Sequence, residues 1–484
     1  MRGFVRLMAV VVTAAVFVVA CSKDKDSGKI TLDSPAVFFA QAGGSATVGF
    51  TAQNIKTLSA TSKPTGWDEA VVDLAGATIS VKAPSAEDIE SGDAVKTGSF
   101  SFTGYTPGGT LVSATLFAGI VTTKDISAEV ANSYIVTEPE TNYLIDATRK
   151  GDGSQLATSY VDVVWQTASG FVQYADFEDG KASFYIGADS DDATKIKQGN
   201  AVIGAYDADG ELIWSWHIWA TDYDPDAEGG TVDFNGYTLM NRNLGALAND
   251  NSTTDKILAS YGLYYQWGRK DPFPYPATNR KTDNETPAAT SCLEGYAFKA
   301  CGRNTAPSLP AGSYTIQWAI GHPTVLLTSA PASAGSGQAY TSAWCSPLHP
   351  NLWGSGTDGS NTSDVHVKTI YDPCPPGWRV PQPGAWDKAY FNKSSYVEEG
   401  GWCMYYTASG RSTTWYPFSG YLDGHSGKMQ YYWPAYQVRV WTNTPTLTSS
   451  KDCARYLYIS DESGVVGITD AGQDEGIAVR CIRE

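Results

Sequence analysis

Long apolar runs are scarce in this 484-residue sequence: one extends from Leu7 to Ala20, and nothing comparable follows it. A membrane-spanning helix needs about 20 consecutive apolar residues, so none is expected. Basic residues are in deficit, with 34 Lys+Arg against 51 Asp+Glu and a net charge of -17. That balance excludes nucleic acid as a partner, because phosphate binding needs a concentrated basic face. Only five histidines occur, at 217, 322, 349, 366 and 425. Cysteine is absent between Cys21 and Cys292; seven then follow, at 292, 301, 345, 374, 403, 453 and 481. None forms a Cys-x-x-Cys pair and no histidine is spaced with them as a zinc site requires, so no metal is expected. The count being odd, at least one thiol is free or pairs outside the chain. There is no Gly-x-Ser-x-Gly elbow, no His-Glu-x-x-His and no phosphate-cradling glycine loop. Carboxylates are plentiful, yet no spacing singles out a glycosidase pair. No catalytic residue and no cofactor is expected.

What is present begins at the N-terminus. Arg2 and Arg6 precede the apolar run, the layout of a secretory signal over residues 1–20. Val18-Val19-Ala20-Cys21 resembles the lipobox of bacterial lipoproteins, which implies cleavage before Cys21 and a lipid on that cysteine. Residues 21–28 are polar and read as a flexible tether. The charges Lys23 to Asp26 resemble the surface-export signal of Bacteroidetes lipoproteins, though with more lysine than is usual. The resemblance implies an outer-membrane, lipid-anchored protein exposed at the cell surface, with the membrane as one partner.

Three segments follow. In residues 29–123 apolar side chains alternate (Val48 and Phe50, Ile79 and Val81, Phe100 and Phe102, Val112 to Leu116) between turn signals. Around seven such strands predict an immunoglobulin-like sandwich. Residues 131–233 form a second β-rich domain. In it, Gly199–Tyr206 and Glu211–Trp219 flank the turn Asp207-Ala208-Asp209-Gly210 as a hairpin whose second strand is apolar on both faces. Residues 234–484 are rich in tryptophan and in Gly/Ser/Thr/Asn/Pro loops. A short helix is expected over Gln382–Tyr390, from the spacing of Trp386, Ala389 and Tyr390. The fold class is multidomain and mainly β, ending in a loop-rich α+β domain.

Several blocks of the last segment occur in a recognisable order: Tyr237 to Ala246, Tyr261 to Phe273 (Tyr-Gly-Leu-Tyr-Tyr-Gln-Trp-Gly-Arg-Lys-Asp-Pro-Phe), Tyr371 to Pro381 (Tyr-Asp-Pro-Cys-Pro-Pro-Gly-Trp-Arg-Val-Pro), Val438 to Thr442, and Ala478 to Cys481. They resemble the Fibrobacter succinogenes major paralogous (FISUMP) domain family over 234–484, about half the chain. Departures are Leu239 for a frequent tryptophan, a long insertion between Asn279 and Thr369, and Trp441-Thr442-Asn443 in place of Trp-Ser-Ser. The resemblance implies a fold distantly similar to C-type lectins and sulfatase-modifying enzymes, whose first and last strands meet. It also implies a disulfide between Cys374 and Cys481, and an association with fimbrial tip-like subunits.

Calcium is disfavoured. Asp222 to Asp226 and Asp207 to Gly210 do not continue as EF-hand loops, and Gln382-Pro383-Gly384 lacks the acid of the lectin calcium signature. Exposed aromatics could stack on sugar. Trp402, Tyr405, Tyr406, Trp415, Tyr416, Tyr431, Tyr432 and Trp433 are the candidate binding face, on the reasoning that adjacent aromatics cannot all point inward. The reading is a non-enzymatic surface protein for adhesion or recognition of a glycan or a surface protein. Its rivals are a fimbrial or envelope assembly subunit and a carbohydrate-active enzyme.

Overall fold

The computed structural model describes residues 26–274, 299–302, 309, 312–330, 341–354, 366–387, 390–391, 401–405, 412–430, 437–448, 451–460 and 466–484. The chain is mainly β and divides into two compact units.

The first unit comprises residues up to Asp125, with Glu140–Leu144 and Ser183–Ile186. Eight of its strands build a sandwich: β1 (Lys29–Leu32), β2 (Ala36–Phe39), β3 (Ser45–Gln53), β4 (Thr57–Ser62), β5 (Val71–Asp73), β6 (Thr78–Lys82), β7 (Thr97–Tyr105) and β8 (Leu111–Ile120). They form two four-stranded sheets, β1-β3-β6-β5 and β2-β8-β7-β4, with β2 parallel to β8. That order is the immunoglobulin sandwich, one sheet holding strands A, B, E and D and the other A′, G, F and C. Alternation makes it so: Val48 and Phe50, Ile79 and Val81, Phe100 and Phe102 and Leu116 all face one shared core. Trp67 lies between the sheets, edge-on to Phe100 at 5.8 Å, with its indole N–H donated to the Val95 carbonyl. Asp26, within the expected tether, is tied to this unit. Asp26 accepts from the Thr106 hydroxyl (2.6 Å), the Gly108 amide (3.0 Å) and the Thr110 hydroxyl (2.9 Å), contacts that hold its carboxyl below the usual range, the Thr106 bond foremost.

The second unit comprises Ile126–Pro139, Ile145–Ala182 and Gly187–Glu484. One four-stranded sheet runs Ser133–Val136, Leu212–Ala220, Gly199–Tyr206, Tyr160–Gln166. Gly199–Tyr206 and Leu212–Ala220 pair antiparallel as the expected hairpin. Trp214, Trp216 and Ile218 on one face, and His217 and Trp219 on the other, are all buried. A larger sheet gathers Gln437–Thr448, Lys451–Ser460, Val466–Gly472 and Gly476–Ala478, with the short strands Tyr264–Gln266, Tyr421–Leu422 and Met429–Gln430. In a third sheet Tyr237–Met240 pairs with the last strand, Ile482–Arg483, which also pairs with Trp378–Arg379. Residues 131–233 and 234–484 share one core: Trp165, Val202 and Trp219 pack with Leu263, Trp267 and Trp441. The helix expected over Gln382–Tyr390 is a single 3-10 turn, Pro383–Trp386, followed by a strand at Tyr390–Phe391. Pro383 supplies a helix start, but Asp387 adopts an extended conformation (ψ 133°) that ends it. Among the described residues no helix is long and apolar enough to cross a membrane.

Candidate functional site

The sequence blocks that stand out most turn out to hold backbone. In the block Tyr261–Phe273, Gln266 is fully buried; its amide donates to the carbonyls of Leu327 and Asp474 (both 2.7 Å) and its oxygen accepts from Leu327 N–H (3.1 Å). Arg269 points at the end of the helix Ile316–Gly321 and the strand that follows it, donating to the carbonyls of Val325 (2.6 Å), Ala319 and His322 (both 3.2 Å). Lys270 donates to Asp271 (2.6 Å) and to the Ser215 carbonyl (3.0 Å) and hydroxyl (2.5 Å), while that hydroxyl donates to Asp271 (2.6 Å). The Lys270 ammonium also lies 4.6 Å from the centre of the Trp214 ring. Lys270 and Asp271 are only 2% and 5% exposed, so this is a sealed ion pair and the Ser215 hydroxyl meets no substrate.

Around the last strand the pattern repeats. Cys374 and Cys481 form a disulfide spanning 107 residues. Lys368 donates to three carbonyls of the same loop, Cys374 (2.9 Å), Pro375 (2.7 Å) and Trp378 (2.6 Å). Buried Asp372 accepts from the amides of Cys374 (2.8 Å) and Val380 (2.9 Å); burial raises its pKa, opposed chiefly by Lys368. Asn132 and Ser133 donate to the carbonyls of Ile370, Asp372 and Pro373. Arg480, fully buried, holds Asn243, Thr414 and the Trp415 carbonyl, with its guanidinium 3.7 Å over the Tyr416 ring. Pairing matters for these side chains because an unpaired one would lose its hydration without compensation.

Beside the disulfide loop lies a cavity of about 580 Å³. Its floor is Val130, Ala131, Ile370 and Pro376, and its carboxylates are Glu129, Asp152 and Glu484. Lys368 gives its three donors to carbonyls, and its ammonium stands 3.8 Å from the Glu484 carboxylate. Elsewhere, Asp474 and Glu475 are the most perturbed acids. Burial pushes Asp474 up to about 8 and Glu475 up to about 7, the latter opposed by Arg439 at 2.6 Å. Asp474 is sealed at 1% exposure and one of its oxygens accepts from the Ser329 amide and hydroxyl. A buried acid of raised pKa without access to solvent has no route for proton exchange with a substrate. His217 is likewise sealed: its Nε2 faces Asn200 Oδ1 at 2.9 Å, and burial lowers its pKa to about 3. Among the described residues no group of three or more His, Cys, Asp or Glu is arranged to hold a metal ion.

Of the residues singled out from sequence, Cys374 and Cys481 are brought together. Cys345 is a buried free thiol, pushed up to about 12 by burial, and Cys453 is also buried. Cys21, Tyr406, Tyr431, Tyr432 and Trp433 lie outside the described residues. Trp402 and Tyr405 are in the strand Gly401–Tyr405, and their side chains lie outside the description. Trp415 and Tyr416 do not belong to a binding face: both are buried, at 5% and 0% exposure. Adjacent strand residues point to opposite faces, and here each face has its own core. Trp415 packs with Tyr264, Leu326 and Met429, and Tyr416 with Leu239, Trp386 and Val440. The cavity residues Glu129, Asn132 and Asp152 carry no motif, and only the fold assembles them.

No family model and no curated protein matches the sequence. Among solved structures, the N-terminal Ig1-2 module of the Drosophila receptor protein tyrosine phosphatase DLAR is 12% identical, covering 40% of this chain and 98% of its own, with a TM-score of 0.14. The Yersinia pseudotuberculosis adhesin InvE is 11% identical over 48% of this chain and 80% of its own, with a TM-score of 0.14. The Bacteroides ovatus mixed-linkage glucan utilization locus SGBP-B, in complex with a mixed-linkage heptasaccharide, is 10% identical over 38% of this chain and 42% of its own, with a TM-score of 0.11. At these TM-scores the likenesses carry no weight for function; the fold rests on the strand order itself.

Proposed function

We propose that this chain is a lipid-anchored bacterial surface protein whose second unit, FISUMP-like over 234–484, recognises a glycan or a protein rather than transforming it. One observation carries the reading: the buried polar side chains of the motif blocks hold backbone. Gln266, Arg269, Lys270, Asp372 and Arg480 are engaged with carbonyls, amides or one another. Residues used this way fix long loops at defined positions, which is what a recognition surface needs. The lipobox-like Val18 to Cys21 supports anchoring, and the immunoglobulin-like unit fits a spacer. Binding of the full chain to a glycan array, with pull-downs from envelope extract in parallel, tests the reading. Capture of glycan or an envelope protein supports it, and capture of neither sinks it. Replacing Cys21 by alanine is expected to move the protein from the membrane to the soluble fraction; an unchanged distribution contradicts the anchor.

A further inference from the structure

One edge of a sheet in the second unit presents aromatic and acidic side chains outward. Tyr160–Gln166 is the edge strand of its sheet, and Tyr160 stands opposite Tyr206. The two rings stack 4.9 Å apart and 5° from parallel, and Tyr160 is 42% exposed. Tyr206 stands in turn opposite Leu212, so a row Tyr160–Tyr206–Leu212 crosses three strands. Two residues along the edge, on the same face, Asp162 stands opposite Gly204, over which the side chains of Leu212, Val164 and Tyr206 close. Among the described residues neither tyrosine hydroxyl has a hydrogen-bond partner, and Asp162 accepts only from the amide of its neighbour Val163 (2.7 Å). Tyr206 is pushed up to about 12, by burial first and then by the nearby Asp162 and Tyr160, which places its hydroxyl in the field of that carboxylate. Asp209 and Glu211 are exposed on the adjoining turn, whose Gly210 borders the Tyr160 hydroxyl. Gly321, ending the helix on which Trp318 stacks against His322 at 3.7 Å, borders Leu212.

We propose that Tyr160, Tyr206 and Asp162 form a glycan-binding platform for uncharged sugars. The inference rests on the recognition reading and names its ligand class. The apolar face of a pyranose ring covers an exposed tyrosine; the two hydroxyls, and the Asp162 carboxylate beyond its one bond from the Val163 amide, are placed to receive and donate the sugar's hydrogen bonds. Asp162, Asp209 and Glu211 repel carboxylated sugars at the same place.

The test is an array of immobilised neutral gluco-, manno- and galacto-configured oligosaccharides, with uronic-acid and sialylated counterparts, probed with the full chain and with Tyr160→Ala, Tyr160→Phe and Asp162→Asn. Binding to neutral glycans is expected, weakened about tenfold or more by Tyr160→Ala, a loss of about 1.4 kcal/mol. It should be weakened less by Tyr160→Phe, which keeps the ring, and not extended to acidic sugars, whose exclusion Asp162→Asn should relax in part because Asp209 and Glu211 remain. Unchanged melting of each variant shows that the fold persists. Glycan binding that all three variants retain in full overturns the platform while leaving recognition standing. Envelope-protein capture without glycan binding likewise overturns the platform alone. Capture of neither overturns both.

Discussion

Replacing Lys270 by methionine separates scaffold from chemistry. The wild-type ammonium is 2% exposed and meets Asp271 at 2.6 Å and the Ser215 hydroxyl at 2.5 Å, in a core beside Trp214. Burial pulls Lys270 below its usual pKa, and Asp271 opposes that. Methionine keeps the length and apolar stem but leaves Asp271, 5% exposed, as a buried charge without its counterion. Breaking such a pair costs about 3–5 kcal/mol, whereas replacing the whole cluster by apolar groups of similar volume is near neutral. Lys270→Met is therefore expected to lower the melting temperature of the second unit by about 5–8 °C. The triple variant Ser215→Ala/Lys270→Met/Asp271→Leu should recover to within about 1 kcal/mol of wild type. Differential scanning calorimetry reads both, provided the transitions of the two units are resolved. A single variant as stable as wild type, or a triple variant no better than the single, refutes the reasoning.

Other perturbations give directions as definite. Asp474 titrates at about 8 in the folded chain, above its unfolded value, so the folded state holds an extra proton between about pH 4 and 8. The Asp474 contribution to stability is thus full below about pH 4 and is lost as pH rises to about 8; melting curves of Asp474→Asn should lack that slope. His217 acts oppositely: with a folded pKa of about 3 it costs stability as pH falls from about 6.5 towards 3, and His217→Gln should be less acid-sensitive in the same measurement. Lys368→Met leaves three carbonyls without their donor and is expected to cost about 2–4 kcal/mol by urea titration. Cys481→Ser opens a loop of 107 residues and should cost about 3–5 kcal/mol, with dithiothreitol reproducing the loss in wild type and having no effect on the variant.

The immunoglobulin-like unit is legible in sequence because each strand buries one face, so the order of Val48, Phe50, Ile79 and Val81 along the chain already carries the alternation. The Gly199–Tyr206 and Leu212–Ala220 hairpin is legible through its turn. Burial on two sides defeats the same reasoning at Trp415 and Tyr416, where a strand between two clusters looks, in sequence, like an exposed aromatic patch. The roles of Arg269, Lys270 and Asp372 were equally hidden, because their partners are backbone groups that any sequence possesses. The Tyr160–Tyr206 row is illegible in sequence for a different reason: its members are 46 positions apart and meet only through strand register.

The most direct test of the account is to incubate the full chain with its array-selected oligosaccharide and follow, in one reaction, bound sugar and newly formed reducing ends. The account predicts saturable binding with the oligosaccharide recovered intact. Steady release of reducing ends, abolished by substituting an acidic residue of the second unit, would contradict it.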